Sequence, residues 1–479
     1  MCAIAGVLDL LVNQQILGRM LSTMSRRGPD ADGSYLLNHG ALLHSRLTVI
    51  DPNGGAQPMH ATRGDEAYTI VYNGELYNTD ELRQALIRLG HKFNSHSDTE
   101  VMLRGYIQWK EELLQHCNGI YAFAVYEERT ATLFLARDRM GVKPLFYKLH
   151  EGGIVFASEL KTILTYPTVK HQLDVAGAAE ILLLGPGRTP GCGVFHGVME
   201  LEPGCCARYA NGKLEIKRYW RLLDREHKES FQETAEVVRD LVLDSIKRQM
   251  VSDVPLGTFL SGGLDSSLIT AICARTYQDQ GKQLPTFSVD YQDNAAFFAP
   301  DKFQPNSDAE YIRLMRESLN TQHHDCVLTP EQLAESLEEA VDARDLPGMA
   351  DVDFSLLAFC KEIRGNVKVA LSGECADEIF GGYPWYRDPE VRAIEGFPWA
   401  QNTKIRESFL VNPQVRRNAT DFVQEQYRKT IQESDILPGT SAQERRMKEM
   451  VNDIADGKPV SGFMEELKTM FTRVMPSRE

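Results

Sequence analysis

The sequence predicts two domains of different fold class, a layered α+β domain followed by an α/β domain with a parallel sheet. Its 479 residues are too many for one ordinary hydrophobic core. In the first part, short β-type runs separated by Gly, Asn, Asp and Pro are mixed with helical patterns, which is typical of an α+β domain. In the second part, short apolar runs alternate with helical patterns, which favours a parallel sheet with helices on both faces. We predict a first domain at residues 2–210, a linker at 211–232 and a second domain at 233–479.

Local patterns predict the elements of each domain. In the first domain the predicted strands are Ala41–Ile50, Tyr68–Tyr72, Tyr121–Tyr126, Thr132–Ala136, Leu145–Leu149 and Ile154–Phe156, and the predicted helices are Thr79–Leu89 and Thr99–Trp109. In the second domain the predicted strands are Val254–Leu260, Leu284–Val289 and Val367–Leu371, with helices at Glu233–Arg248 and within Ser266–Thr276. Asn211-Gly212 predicts a tight turn, His323-His324 is expected on a solvated loop, and the chain beyond about residue 390 is polar and helix-prone.

Composition and charge exclude several classes of protein. The chain carries a net charge of -15 with 43% hydrophobic residues, which is typical of a soluble globular protein and argues against non-specific binding to nucleic acid or anionic membranes. There is no apolar stretch long enough to span a bilayer and no signal peptide. Nine cysteines without a CxxC pair favour a reducing compartment, and Cys205-Cys206 are expected to be two ordinary thiols rather than a vicinal disulfide or metal site. We therefore expect a cytoplasmic protein with neither nucleic-acid nor membrane partners.

A cysteine directly follows the initiator methionine. If Met1 is removed, Cys2 carries both a thiol and a free α-amine. An α-amine titrates near neutral pH, so it can take the thiol proton and later return it. The pattern thus fits a self-contained nucleophile and base, and the alternative is an inert cysteine.

A glycine-rich segment predicts a phosphate site in the second domain. Ser261-Gly262-Gly263-Leu264-Asp265-Ser266-Ser267 follows a predicted strand and opens a helix. Glycines let the backbone approach phosphate oxygens, the helix N-terminus and serine hydroxyls supply donors, and Asp265 can hold Mg²⁺ beside the phosphates. The alternative is an ordinary β–α turn with a serine cap. The segment lacks the GK[ST] of a Walker A loop and resembles the pyrophosphate-binding loop of ATP pyrophosphatases, which cleave ATP to AMP and pyrophosphate.

An acidic segment follows another predicted strand of the same sheet. Ser372-Gly373-Glu374-Cys375-Ala376-Asp377-Glu378 comes directly after Val367–Leu371. Ligands of open α/β sheets bind at the carboxyl ends of the strands, and three carboxylates beside a glycine can serve metal binding and proton transfer. The alternative is a solvated acidic helix start.

Charged and amide side chains recur in four segments of the first domain, at Arg27–Asp30, His44–Asp51, Tyr72–Asn78 and Ser97–Glu100. Arg46 can grip an α-carboxylate through two parallel bonds, and Asp98 can pair with an α-ammonium. Asn73-Gly74 can offer an amide NH₂ and a backbone N–H to an oxyanion, although the pair alone is also typical of a type I′ hairpin turn. Together these groups suit an amino acid whose side-chain amide is attacked by a thiolate.

These segments resemble those of glutamine-dependent asparagine synthetases. The first domain is similar to class II glutamine amidotransferases, also through Asn118–Ala124 and Ala136–Tyr147, and the similarity covers about residues 2 to 390. It implies an αββα sandwich of the N-terminal-nucleophile type, followed by an α/β parallel-sheet ATP-pyrophosphatase domain.

The resemblance also implies a role for each matching residue. Cys2 would be the nucleophile, with Asn73 and Gly74 as the oxyanion hole. Glutamine would be bound by Arg46, Leu47, Thr48, Val49, Ile50, Asn73, Gly74, Glu75 and Asp98. ATP would be bound by Ser261 through Ser267, Val289, Ser372 and Gly373. Asp265 and Asp377 would hold Mg²⁺, and Glu374 would assist formation of an acyl-adenylate and its capture by ammonia. Arg344, in a segment that resembles one near the family's acceptor site, is the candidate for an aspartate carboxylate.

The implied reaction makes asparagine from aspartate, with ATP and glutamine as the other substrates. Glutamine hydrolysis would supply ammonia, and β-aspartyl-AMP would form with release of pyrophosphate before ammonia displaces AMP. Three alternatives stay open: the same chemistry on a peptide or cell-wall carboxylate, a glutaminase with an inactive second half, and a non-catalytic sensor of nucleotide or glutamine. A homodimer is one option for the assembly.

The chain departs from the family pattern at several points. Ala3 and Arg26 stand where the family usually has Gly and His, and both look tolerable. Cys375 replaces a usual Gly, so it is expected to be strained if that position has a positive φ. After Arg445–Met450 we find no counterpart of the family's C-terminal helices or of their lysine that reaches the ATP phosphates, so the C-terminus is expected to be truncated or divergent.

Overall fold

The chain divides into two units, one for each predicted fold class. A computed structural model describes residues 1–433 apart from 186, 224–226, 301–305, 387 and 418. The first unit comprises Met1–Leu222, Asp345–Pro347 and Lys404–Thr420, and the second takes the rest of the described chain. The C-terminal segment predicted to diverge from the family pattern lies outside the described residues.

The first unit is built mainly from antiparallel strands. Its strands are β1 (Ala3–Leu8), β2 (Ala31–Leu37), β3 (Gly40–Arg46), β4 (Met59–Arg63), β5 (Glu66–Leu76), β6 (Gly119–Glu127), β7 (Thr132–Arg137), β8 (Phe146–His150), β9 (Gly153–Ala157), β10 (Met199–Glu200), β11 (Cys205–Ala210) and β12 (Lys213–Arg218). Its first helices are α1 (Gln14–Met24), α2 (Thr79–Arg88), α3 (Asp98–Trp109), α4 (Leu113–His116), α5 (Leu160–Leu164) and α6 (Val175–Leu183).

The second unit follows with strands and helices in alternation. Its helices are α7 (Phe231–Gln249), α8 (Leu264–Asp279), α9 (Asn294–Phe297), α10 (Asp308–Leu319), α11 (Pro330–Arg344), α12 (Ala350–Ile363), α13 (Ala376–Phe380) and α14 (Pro389–Arg392). Its strands are β13 (Leu256–Phe259), β14 (Pro285–Tyr291), β15 (Gln322–Leu328) and β16 (Val369–Leu371). The described chain ends with α15 (Thr403–Phe409), α16 (Pro413–Arg417) and α17 (Ala419–Glu433).

The strands of the first unit form two six-stranded sheets, in the orders β10-β8-β9-β1-β3-β2 and β12-β11-β7-β6-β5-β4. Side chains alternate between the two faces of a strand, so β1 sends Ile4 and Leu8 to a core shared by both sheets and Val7 to a core under α1 and α5. The second sheet packs its other face against α2 and α3. The layers are therefore helix, sheet, sheet, helix, which confirms the predicted αββα sandwich.

The end of the second sheet contains the predicted tight turn. Asn211 and Gly212 have φ values of 52° and 73° and join β11 to β12, as a type I′ turn requires. Strand β12 therefore extends this sheet into the range predicted as a linker. Cys205 and Cys206, neighbours on β11, point into different cores, and all nine cysteines are free thiols.

The second unit contains a four-stranded parallel sheet in the order β15-β14-β13-β16. Helices α7, α8 and α10 share a core on one face, and α12 covers the other, as predicted. Strand β14 lies on one side of β13 and β16 on the other, so the direction of the strand order reverses at β13. The carboxyl ends of β13 and β16 therefore meet at the kind of point where ligands bind in open α/β sheets.

Two predictions about local structure are wrong. His323 and His324 lie within strand β15 and not on a solvated loop: the His323 side chain is only 4% exposed, and the His324 ring stacks on Phe287 at a centroid distance of 5.2 Å. The predicted strand Ala41–Ile50 ends at Arg46, and residues 47–50 form a loop. No helix in the described part of the chain is both long and apolar enough to cross a membrane.

Candidate active sites

Cys2 is placed by the pairing of the first strand. Strand β1 runs antiparallel to β3 with Ala3 opposite Ser45, so the residue before β1 lies beside the chain that leaves β3. The Cys2 Sγ atom lies 3.4 Å from the Leu47 backbone nitrogen and 3.5 Å from its carbonyl oxygen. The thiol is thus partly buried against the first residue of the predicted glutamine-binding loop.

Asn73 and Gly74 lie inside β5, so the hairpin-turn interpretation of this pair is wrong. They pair with Ala122 and Tyr121 of β6. A Cβ atom on Gly74 would come within 2.5 Å of the Ile120 carbonyl oxygen, so the position admits no larger residue without a backbone shift. The local signal for a turn is overridden because strand β6 pairs with β5 from Tyr68 to Leu76, across both residues.

The Asn73 side chain is an available hydrogen-bond donor. Val71 points into the core between the sheets, and strand alternation puts Asn73 and Glu75 on that same face. Asn73 is 1% exposed, and its Nδ2 atom makes no hydrogen bond to any described residue. A buried amide without a partner is costly, so this atom suits a group that is present only during reaction, such as an oxyanion.

Burial and nearby cations favour a neutral amine at the amino terminus. The pKa of the Met1 amine is lowered to about 5, first by burial and then by the charges of Arg27 and Lys143, while the charges of Cys2 and Glu75 oppose the shift. Burial also raises the pKa of the Cys2 thiol. These shifts belong to the chain with Met1 present, whereas the base of the predicted mechanism is the Cys2 amine that removal of Met1 would expose.

Arg27 and Lys143 are cations near the amino terminus to which the sequence assigned no role. Arg27 Nε donates to the Cys2 carbonyl oxygen at 3.2 Å, and Lys143 is 4% exposed. Burial lowers the pKa of Lys143, while the carboxylate of Glu75 opposes that shift. Both cations lie in segments that carried the family resemblance, but only the folded chain shows that they face the amino terminus.

Asp98 is buried at the start of α3 and is 6% exposed. Its carboxylate accepts hydrogen bonds from the Leu76 nitrogen at 3.2 Å and from the Tyr72 hydroxyl at 3.1 Å. Burial raises the pKa of Asp98 although these donors oppose the shift. Its charge in turn contributes to the raised pKa of Cys2. The structure therefore brings Asp98 into electrostatic range of the thiol, where an incoming ammonium would favour its ionised form.

Arg46 shapes the loop that follows it. Its guanidinium donates to the carbonyl oxygens of Ile50 at 3.2 Å, Asp51 at 2.7 Å and Pro52 at 3.1 Å. These bonds tie residues 50–52 back to the last residue of β3, so the chain forms a loop after Arg46 and β3 is shorter than predicted. The three bonds use three of the five N–H donors of Arg46. The predicted binding of a substrate α-carboxylate by this arginine stays a prediction.

The glycine-rich segment forms the turn between β13 and α8. Gly262 has a φ of 83°, which favours glycine, and Gly263 is the N-cap residue of the helix. The Ser261 and Ser266 hydroxyls lie 2.9 Å apart and brace the turn, and Ser266 and Ser267 are buried. The first N–H groups of a helix lack intrahelical partners, so the start of α8 offers backbone donors of the kind that bind anions.

The acidic segment lies directly against that turn. A Cβ atom on Gly373 would come within 2.9 Å of the Ser266 nitrogen and 3.1 Å of the Asp265 Cβ atom. Half-burial raises the pKa of Asp265, and the neighbouring charge of Asp377 raises it further. The structure thus brings together the two carboxylates predicted to hold Mg²⁺.

The donor set fits a divalent cation that also binds phosphate. The described residues contain no cluster of three His, Cys, Asp or Glu side chains arranged for a metal ion. Mg²⁺, however, is commonly held by one or two carboxylates together with substrate phosphates and water. A cation between Asp265 and Asp377 would relieve the repulsion that raises the pKa of Asp265.

A cavity of about 510 Å³ opens at the carboxyl end of β14. It is lined by Val289, Tyr291, Leu333, Asp351, Val352, Phe354, Ser355, Leu356, Phe359 and Glu374. The predicted adenosine contact Val289 and the predicted catalytic Glu374 therefore share one cavity. Its largely apolar wall suits a flat ring system, and its two carboxylates lie where polar groups of a ligand would meet them.

Arg344 is held by an ion pair within the second unit. Its guanidinium binds the Asp353 carboxylate across the turn between α11 and α12, and about half of the arginine side chain is exposed. Arg344 does not line the described cavity. Binding of an acceptor carboxylate by Arg344 therefore stays a prediction. An acceptor would have to displace Asp353 from this arginine.

Cys375 has the positive φ that the family's usual glycine predicts. Its φ is 70° and its ψ is 1°, in the left-handed region, at the N-cap of α13. A side chain there costs roughly 1 kcal/mol relative to glycine. We expect Cys375→Gly to exceed Cys375→Ala in free energy of unfolding by up to about 1 kcal/mol, since glycine removes the strain but gains entropy when unfolded. Urea denaturation of both variants tests this, and equal midpoints and slopes would contradict it.

Two protein-family models divide the sequence. The model described as a glutamine amidotransferase domain matches residues 1–220, and the model described as asparagine synthase matches residues 237–478, about half of the chain. The chain belongs to the asparagine synthase family. Family membership confirms the resemblance seen in the glycine-rich and acidic segments, and the first match covers the whole strand-rich unit up to Trp220.

Individual relatives agree with this membership. The chain is 46% identical over 456 residues to asparagine synthetase [glutamine-hydrolyzing] 3 of Bacillus subtilis strain 168, covering 94% of this chain and 74% of that protein. It is 31% identical over 425 residues to asparagine synthetase [glutamine-hydrolyzing] 1 of the same strain, covering 87% and 64%. Among solved structures, glutamine phosphoribosylpyrophosphate amidotransferase from B. subtilis, complexed with ADP and GMP, matches at 16% identity with a TM-score of 0.39, covering 80% of this chain and 97% of that chain.

Proposed function

We propose that the chain makes L-asparagine from L-aspartate, with ATP and with ammonia from glutamine hydrolysis. The observation that carries this proposal is the contact of Gly373 with the turn at Asp265–Ser266, because it joins both predicted nucleotide segments into one site at the reversal of the strand order. The family membership and the names of the relatives support the same reaction.

In the first unit, the residues around Cys2 support glutamine hydrolysis. The Cys2 thiol gives its proton to the neutral α-amine and attacks the side-chain amide carbon of glutamine. Asn73 and Gly74 stabilise the oxyanion, and Asp98, Glu75, Arg46 and the backbone of residues 47–50 hold the substrate. Ammonia leaves with a proton from the amine, and water then hydrolyses the thioester to give glutamate.

In the second unit, the turn at Ser261–Ser267 holds the pyrophosphate of ATP, and Asp265 with Asp377 would hold Mg²⁺ beside it. The β-carboxylate of aspartate attacks the α-phosphorus, and pyrophosphate leaves. Val289, Ser372 and Gly373 position the adenosine. Ammonia then attacks the acyl carbon of β-aspartyl-AMP, AMP leaves, and Glu374 takes the proton that the new amide loses.

A second candidate is the same chemistry on a different carboxylate. Arg344, the predicted partner of an aspartate carboxylate, is already bound to Asp353, and Asp351 and Glu374 are the only charged residues in the described cavity lining. An acceptor with a peptide or other neutral extension would need no cation there.

Product analysis separates these possibilities. Purified protein is incubated with Mg-ATP, aspartate and either glutamine or ammonium chloride. Asparagine formed together with equal amounts of AMP and pyrophosphate supports the proposal. AMP and pyrophosphate formed only with a peptide carboxylate point to the second candidate, and glutamate without AMP in any mixture contradicts both. The homodimer and the cytoplasmic location remain predictions.

Removing one cation near the amine should shift the pH dependence of glutamine hydrolysis. The positive charge of Lys143 disfavours the protonated amine and so lowers its pKa. Lys143 also acts on the Cys2 thiol, so its charge lies in range of the amine that removal of Met1 would expose on the same residue. We expect the acid limb of kcat/KM to move to higher pH in Lys143→Gln, because this amine then keeps its proton to a higher pH. The exposed Lys92→Gln serves as control. An acid limb of kcat/KM at the same pH in Lys143→Gln and in Lys92→Gln would contradict the prediction.

A further inference from the structure

A buried charged cluster lies behind Cys2 in the first unit. It comprises Arg27, Glu159, Lys161 and Asp345, and we refer to it as the Asp345 cluster. Glu159 is 5% exposed and the Asp345 side chain 7%, so two carboxylates are buried together. Burial raises the pKa of Glu159, and the charge of Asp345 adds to that shift while Arg27 and Lys161 oppose it. Such clusters rarely add net stability over apolar packing, which suggests another reason for their presence.

Asp345 fixes the start of helix α5 from a distant part of the sequence. Its Oδ2 atom accepts a hydrogen bond of 2.6 Å from the Leu160 nitrogen, although the two residues are 185 positions apart. Its Oδ1 atom lies 3.0 Å from Lys161 Nζ, which also lies 3.6 Å from Glu159 Oε1. Glu159 occupies the N-cap position of α5 but makes no side-chain cap, so Asp345 supplies the missing acceptor.

The same segment is bonded to the strand that carries Cys2. The Ile4 nitrogen donates to Ser158 Oγ at 3.0 Å, and the Ser158 nitrogen donates to the Ile4 carbonyl oxygen at 2.9 Å. Arg27, whose charge is balanced by Glu159 and Asp345, donates to the Cys2 carbonyl oxygen. The backbone of Cys2 is thus held through β1 and through Arg27, and both supports lead back to the start of α5.

We propose that Asp345 is a positioning residue for the Cys2 nucleophile, acting through Leu160, Lys161, Glu159 and Arg27. The proposal rests on the proposed role of Cys2 in glutamine hydrolysis. Attack by sulfur depends on its placement to within a fraction of an ångström, whereas glutamine binding depends on Asp98, Glu75 and the Arg46 loop. Loss of the Asp345 charge should therefore lower kcat for glutamine hydrolysis more than it changes KM.

The test compares Asp345→Asn with Lys161→Gln and a control. Asparagine tolerates the φ of 65° at position 345 and can still accept from Leu160, so this variant should fold. The control is Glu338→Gln, which removes an exposed carboxylate from the neighbouring helix α11. Glutamate release is measured by steady-state kinetics, and thermal unfolding reports on stability.

We expect Asp345→Asn to lower kcat about tenfold with KM within about twofold of wild type, and Lys161→Gln to change kcat in the same direction by less. Glu338→Gln should match wild type. If wild type itself releases no glutamate, the proposed function fails. If wild type releases glutamate and Asp345→Asn keeps its kcat, or loses rate only through KM, the positioning role is overturned while the proposed function stands.

Discussion

Replacing Cys2 with alanine is expected to abolish synthesis from glutamine while synthesis from ammonia continues. The alanine variant keeps the α-amine, Asn73 and Asp98, but it lacks the sulfur that forms the thioester, so glutamine hydrolysis should fall by at least about 10³-fold. In the proposed reaction the second unit binds ATP and the acceptor through its own residues, so it should use ammonium chloride at the wild-type rate. Glutamate and asparagine are quantified in parallel with each nitrogen source.

The matched control is Cys192→Ala, which removes another partly exposed thiol of the first unit. It should keep both activities. Mass spectrometry of the purified wild type should show that Met1 is absent, because only then does Cys2 carry the free amine that we propose as the base. Glutamine-dependent synthesis that survives in Cys2→Ala would contradict the assignment of the nucleophile. Loss of ammonia-dependent synthesis in a folded variant would also contradict the independence of the two reactions.

The fold class could be predicted from the sequence because apolar runs and their lengths are local features. Strand β6 and helix α3 were found almost to their ends, although most of their residues are buried, because one run has the length of a strand and the other that of a helix. Strand β15 was missed because its first four residues are polar, and the buried side chain of His323 is bonded to the neighbouring strand: His323 Nδ1 lies 2.9 Å from the Thr286 hydroxyl. Such a partner cannot be seen in a window of sequence.

The candidate sites were predictable only where a short segment carries the chemistry. The turn at Ser261–Ser267 follows from its own glycines, whereas the positive φ of Cys375 was expected only from the glycine that the family usually has at that position. The pair Asn73-Gly74 alone predicts a turn, but both residues lie in a strand because β5 pairs with β6 at these positions. Lys143 and Asp345 reach the Cys2 site through tertiary packing alone, and no spacing rule relates them to position 2.

Replacing Asp265 with asparagine is expected to remove synthesis from both nitrogen sources while glutamine hydrolysis persists. Asparagine keeps the size of the side chain but lacks the charge that would hold a cation beside the phosphates, so formation of AMP and pyrophosphate should fall by about 10²-fold or more. The first unit does not use this carboxylate, so glutamate release should match wild type. The control is Asp279→Asn, which removes an exposed carboxylate from the other end of α8.

Thermal unfolding gives a second, independent test of the Asp265→Asn variant. The pKa of Asp265 is raised by burial and by Asp377, so its ionised form opposes folding at every pH above that raised value, and the cost disappears only below its ordinary pKa. At pH 7 without metal, Asp265→Asn should therefore unfold at the same or a higher temperature than wild type. Mg-ATP should raise the unfolding temperature of wild type and of Asp279→Asn, but much less that of Asp265→Asn. An equal rise in the unfolding temperature of all three proteins would show that the cation and nucleotide bind elsewhere. The proposed site at the carboxyl ends of β13 and β16 would then be wrong.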